Sequence, residues 1–156
     1  MPMKMPFGPA PAGLDQRLED WEDRLEELVN ANLRTPYHYG VFDCATFAID
    51  AVRVVTGVSL IPGIERPKPG WLAAAKFLIR HGLEDTQEFA SAALGQLPGD
   101  AQDSIPGDLV AFRAAGDIHL AVRIRMGGEA LTPAAAGLGL APKPDWICSW
   151  RIGRPR

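Results

Sequence analysis

Cys44 is the residue of this sequence best suited to covalent chemistry, because it follows Gly40-Val41-Phe42-Asp43 at the predicted start of a helix. Unpaired N–H groups and the helix dipole favour an anion at a helix N-terminus. A cysteine thiolate, which attacks carbonyl carbons, has a lowered pKa at such a position. The nucleophile also needs a base, and His119, at the start of a later predicted strand, is the best placed. The two residues predict a Cys–His nucleophilic pair.

A structural role is the alternative for Cys44, since it also lies on one apolar face of the predicted helix. That face comprises Cys44, Phe47, Ala48, Ala51, Val52 and Val55. Cys148 has no base nearby in the sequence, so we predict a structural role for it. His81, beside Gly82, and His38 also default to structural roles, although His38 is close to Cys44. Two distant cysteines predict neither a zinc site nor a disulfide framework, though they leave a single pairing open. No metal or cofactor is predicted.

Hydrophobic periodicity predicts helices first and strands afterwards, which is an α+β domain. The predicted helices span residues 14–33, 43–56, 70–80 and 86–94. The predicted strands span residues 108–112, 119–124, 130–132 and 146–152, within a β-meander at 105–152, and a hairpin-type turn is predicted at 126–129. In the second strand Leu120, Val122 and Ile124 share one face, while His119, Ala121 and Arg123 share the other.

The length of 156 residues predicts a single domain over 14–156, preceded by a Pro/Gly-rich arm at 1–13. The arm lacks the apolar core of a signal peptide, and no apolar stretch reaches the roughly 18–20 residues of a membrane span. The net charge is −3 and there is no Lys/Arg-rich run, which argues against a nucleic-acid partner. The charge is nevertheless segregated: residues 15–27 carry seven acids and two arginines, while residues 113–156 carry seven basic residues and three acids. This segregation favours contacts between protein subunits.

Three segments resemble the NlpC/P60 family of papain-like cysteine peptidases. The stretch from Thr35 to Cys44, TPYHYGVFDC, resembles the family's "TPYxWGG…DC" motif. The stretch 105–112, IPGDLVAF, resembles "PGDLVFF", and 119–124, HLAVRI, resembles "HVGIYIG". The segments occur in the family's order. Four other features are more similar to a divergent branch encoded among bacteriophage tail genes: the acidic helix predicted at 14–33, the ending Trp150-Arg151-Ile152, Asp43-Cys44 and Thr56-Gly57.

The resemblance implies a papain-like fold in which Cys44 is the nucleophile and His119 the base. It implies that Tyr37 lines the oxyanion site and that Thr132 takes the place of the third polar residue. It further implies a tail-tip or baseplate protein located in the virion, made in the host cytoplasm without a signal peptide. Its partners would be other tail proteins, with a peptidoglycan stem peptide as substrate. The alternatives are an inactive structural tail component that kept the fold and an unrelated cytoplasmic α+β protein.

Overall fold

A computed structural model describes residues 3–61, 69–124 and 128–154. Within these residues, four α-helices precede a five-stranded antiparallel sheet. The helices are α1 (Trp21–Asn32), α2 (Cys44–Thr56), α3 (Trp71–Arg80) and α4 (Thr86–Leu94). The strands are β1 (Leu109–Ala114), β2 (Asp117–Arg123), β3 (Ala130–Ala134), β4 (Gly137–Ala141) and β5 (Trp146–Trp150). The α+β class is therefore confirmed.

The predicted turn at 126–129 falls partly outside the described residues. No helix in the described part of the chain is long and apolar enough to cross a membrane.

The sheet has the strand order β4-β3-β2-β1-β5. Strands β1 to β4 form a meander, but β5 returns to pair antiparallel with β1 at the other edge. The predicted continuous meander over 105–152 is wrong in this respect. Strand β4 was also not predicted, because its sequence Gly-Leu-Gly-Leu-Ala has low intrinsic strand propensity. Its pairing with β3 supplies what the local sequence lacks.

Helix α2 starts and ends where the sequence predicts, because the residues that cap its two ends bond within a few positions of it. Asp43 caps the helix by accepting a hydrogen bond from the Thr46 N–H at 2.8 Å. The Thr46 hydroxyl accepts a hydrogen bond from the Asp43 N–H, also at 2.8 Å, which completes a capping box. Gly57 ends the helix in the left-handed conformation. The apolar face of α2 then packs against the sheet.

Helix α1 begins at Trp21, so the predicted start of this helix at residue 14 is wrong. The segment before Trp21 is held in turns and an isolated bridge at Gln16 by tertiary backbone hydrogen bonds. The Leu18 N–H donates to Val55 O at 2.7 Å, and the Arg154 N–H donates to Asp15 O at 2.9 Å. Arg17, within this segment, is 1% exposed. These bonds use the backbone groups that a helix would have needed.

The described part of the N-terminal arm packs on its own domain. The Phe7 ring lies 6.2 Å from the Phe77 ring and 5.9 Å from the Phe89 ring, measured between centroids. Lys4 Nζ donates to Gly82 O at 2.9 Å and forms an ion pair with Glu88. The arm thus covers the surface where α3 and α4 meet.

The two faces of the sheet have different neighbours. Leu120 and Val122 face the helices and belong to the main core with α2. Phe112 and Ala121 face the opposite side and belong to a smaller cluster with Ala130 and Ala141. The β1–β2 register, which pairs Ala111 with Leu120 and Phe112 with His119, is set by a tight turn at residues 115–116. His119 therefore lies on the side away from α2.

Gly137, at the start of β4, allows a close approach of two backbones that a side chain would prevent. Its φ is +132°, and a Cβ there would clash with the Leu33 carbonyl after α1. We expect Gly137→Ala to lower the free energy of unfolding by about 3 kcal/mol in urea denaturation. Gly116→Ala is the matched control, because Gly116 has φ +81° with no heavy atom within 4 Å of the added Cβ. The control should lose only about 1 kcal/mol. Equal losses for the two variants would contradict a close approach at Gly137.

Candidate functional site

A cleft of about 410 Å³ lies between the N-terminus of α2, helix α3, and the first residues of α4 and β2. Tyr37 and Cys44 both line it. Its apolar wall includes Ile49, Phe77 and Phe89. The volume falls within the range of about 300–1,000 Å³ that is usual for ligand sites.

The Cys44 thiol is buried, with 5% of the residue exposed. Burial raises its pKa to about 12, and the Asp43 carboxylate acts in the same direction. Hydrogen bonding by the backbone N–H groups of Leu120, Ala45 and Cys44 lowers the pKa, but this effect is smaller than that of burial. The helix N-terminus therefore does not give an activated thiolate, because desolvation outweighs it. At pH 7 roughly 10⁻⁵ of such thiols are ionised.

The His119 ring contacts its partner across the β1–β2 pair, Phe112. It lies 5.5 Å, between centroids, from the Phe112 ring on the outer face of the sheet. The residue that follows it, Leu120, is the one whose N–H approaches the sulfur. Although His119 contributes to the wall of the cleft, none of the hydrogen bonds between described residues joins it to Cys44. The structure thus places His119 at the same cleft as Cys44 without a hydrogen bond between them, and the Cys–His pair stays a prediction.

Tyr37 lies beside Cys44, as predicted, and is half-buried. Its ring meets the Tyr39 ring edge to face, with 4.8 Å between centroids. Burial, and next the nearby Cys44, raise the pKa of the Tyr37 hydroxyl, so it stays protonated. A protonated phenol in this position is a hydrogen-bond donor at the cleft wall.

Thr132, the predicted third polar residue, makes a structural bond instead. Its hydroxyl donates to the Leu120 carbonyl oxygen at 2.9 Å and is buried. The proton is therefore used to hold β3 against β2, and it is not available to an imidazole. Cys44, Tyr37 and His119 all line the cleft, whereas the Thr132 hydroxyl is bonded within the sheet.

Sequence reasoning missed the acidic side of the cleft. Asp43, Glu84, Asp85 and Asp117 all line it. The Thr86 hydroxyl donates to Ile118 O at 2.8 Å, which ties the start of α4 to the start of β2 and brings these acids to one end. They come from separate elements, so no local motif could have signalled the cluster. No group of three or more His, Cys, Asp or Glu in the described ranges could hold a metal.

The fold and the cleft define an α+β domain in which a cysteine at the start of a helix packs against an antiparallel sheet. Residues 16–152 match the family described as a domain of unknown function, DUF6950, and the chain belongs to that family. Among curated proteins, none matches the sequence significantly.

Proposed function

We propose that this chain is a structural component of a bacteriophage tail tip or baseplate. In this proposal its NlpC/P60-like, papain-like domain binds a partner in the cleft and does not cleave a peptide bond. The observation that carries the proposal is the position of His119, whose ring lies 5.5 Å from the Phe112 ring between centroids and makes no hydrogen bond to Cys44. A cysteine hydrolase needs a base within hydrogen-bond reach of its sulfur.

The state of the thiol supports the same conclusion. A pKa of about 12 leaves Cys44 protonated at neutral pH, and no cation among the causes of its shift lowers that pKa. Active cysteine hydrolases depend on a thiolate stabilised by a neighbouring imidazolium. The tail assignment itself comes from the resemblance of the acidic N-terminal region and the Trp-Arg-Ile ending, with Asp43-Cys44 and Thr56-Gly57, to the branch encoded among bacteriophage tail genes. Segregated charge of this kind suits contacts between subunits.

Peptidoglycan cleavage by Cys44 is the second candidate function. It is favoured by the position of Cys44 at the first residue of α2, where it lines an open cleft beside Tyr37. The N–H groups at this helix start are also suitable donors for an oxyanion. This candidate requires His119 to move to the opposite face of β2, or another base to replace it.

Two experiments test the proposal. Mass spectrometry of purified phage particles should detect the protein, and its absence from particles would refute a tail role. Peptidoglycan zymography of the purified wild type and of Cys44→Ala should show no clearing for either protein. Clearing by the wild type that disappears in Cys44→Ala would establish the peptidase instead.

A further inference from the structure

The charged side chains that line the cleft, among the residues that the structure describes, have one sign. Four carboxylates line it, while none of the described residues that line it is a lysine or an arginine. Glu84 and Asp117 are exposed, so both can meet a ligand from solvent. Asp43 and Asp85 are partly used as helix caps, yet their negative charge remains. The field at this end of the cleft favours a cation and repels phosphate or an acidic peptide.

The opposite side of the cleft is aromatic and accessible. Trp71 is 66% exposed and Tyr39 is 42% exposed, although both are large apolar residues. The two are neighbours, because the Gly70 N–H donates to Tyr39 O at 2.9 Å. Exposed aromatic side chains at the edge of an apolar cavity are typical anchors of protein interfaces. Their faces also attract Arg and Lys.

We propose that this cleft holds a segment of a partner protein in which Lys or Arg alternates with apolar residues. This inference rests on the proposed function, because it requires a cleft that binds without cleaving. The basic side chain pairs with Glu84 and Asp117, and the neighbouring apolar side chains contact Trp71 and the wall formed by Phe77 and Phe89. Charge complementarity selects a basic segment over nucleic acid or an acidic protein.

Isothermal titration calorimetry on the full chain tests this with two blocked pentapeptides, LRFRL and LEFEL in one-letter code. LRFRL should bind at least about ten-fold more tightly than LEFEL at low salt, and the difference should shrink as salt increases. The double variant Glu84→Gln, Asp117→Asn should weaken LRFRL binding by about five- to ten-fold. The matched control is Glu26→Gln, Glu27→Gln on the exposed face of α1, which removes the same charge and should change affinity by less than about two-fold.

Equal affinities for the two peptides, no binding of LRFRL, or the same loss in the α1 control would each overturn the inference. Mass spectrometry of LRFRL after the titration separates failure of this inference from failure of the proposed function. Intact LRFRL with no binding refutes the partner segment and leaves the non-catalytic role standing. Cleaved LRFRL refutes the non-catalytic role, and with it the inference.

Discussion

Replacing Asp108 with alanine is expected to lower the free energy of unfolding by about 3–5 kcal/mol, because Arg17 would be left buried without its carboxylate partner. Arg17 and Asp108 are each only 1% exposed, and Arg17 Nη2 lies 3.0 Å from Asp108 Oδ1. The same carboxylate accepts from Arg151 Nε at 2.9 Å and from the Ile152 N–H at 3.0 Å. Asp108 therefore joins the start of the chain, β1 and the C-terminal segment.

Equilibrium unfolding in urea measures this loss. Asp20→Ala is the matched control, because Asp20 pairs with Arg24 at 2.9 Å but both side chains are more than half exposed. That exposed pair should contribute no more than about 0.5 kcal/mol. Asp108→Asn keeps an oxygen acceptor, so its loss of unfolding free energy should lie between the losses of Asp108→Ala and Asp20→Ala. This variant preserves the test if Asp108→Ala does not fold. A loss below about 1 kcal/mol for both Asp108 variants would contradict the structural role of this carboxylate.

Alkylation of Cys44 by iodoacetamide at pH 8 is expected to be at least about 10³-fold slower in the folded protein than in urea. The pKa of about 12 gives a far smaller thiolate fraction than an unfolded cysteine has. Cys148 is also buried, and its pKa is raised to about 11 by burial, so the Cys148→Ala variant isolates the signal of Cys44. Mass spectrometry of the alkylated protein against time gives the rate.

The pH dependence of stability follows from the same shift in pKa. The native state binds the Cys44 proton more strongly than the unfolded state does, and this difference stabilises the folded protein. The stabilisation is complete below the unfolded pKa of about 8.5. This stabilisation is lost as the pH rises towards the folded pKa of about 12.

In the alkylation experiment, a rate whose pH midpoint lies near or below pH 8 would contradict a buried, protonated Cys44 thiol.

The parts of the fold that the sequence predicts are those set by local interactions. Helix α2 is one example, since Asp43, Thr46 and Gly57 each bond within a few residues. The start of α1 could not be predicted in this way. Its position depends on hydrogen bonds from the segment around Arg17 to residues more than thirty positions away. Strand β4 likewise forms through its pairing with β3 rather than through its own composition.

The alternation of β2 already contained the information about His119. The sequence places His119 on the face shared with Ala121 and opposite that of Leu120. The larger apolar side chains pack against the helices, which turns the imidazole outward. Position within a family-like segment predicted a catalytic base, whereas strand alternation predicts the orientation that the structure has. The acidic side of the cleft depends on tertiary packing alone.

We propose that His119 does not act as the base of Cys44. The most direct test is the alkylation rate of Cys44 from pH 5 to pH 11 in the Cys148→Ala variant, with and without His119→Ala. His81→Ala is the control. It removes an imidazole that lies away from the thiol and is hydrogen-bonded to the Phe77 carbonyl oxygen at 2.9 Å. We predict superimposable profiles for all three proteins, without a reactive thiolate below pH 8. A ten-fold or greater loss of reactivity near neutral pH in His119→Ala alone would contradict the account, because it would reveal a working Cys–His pair.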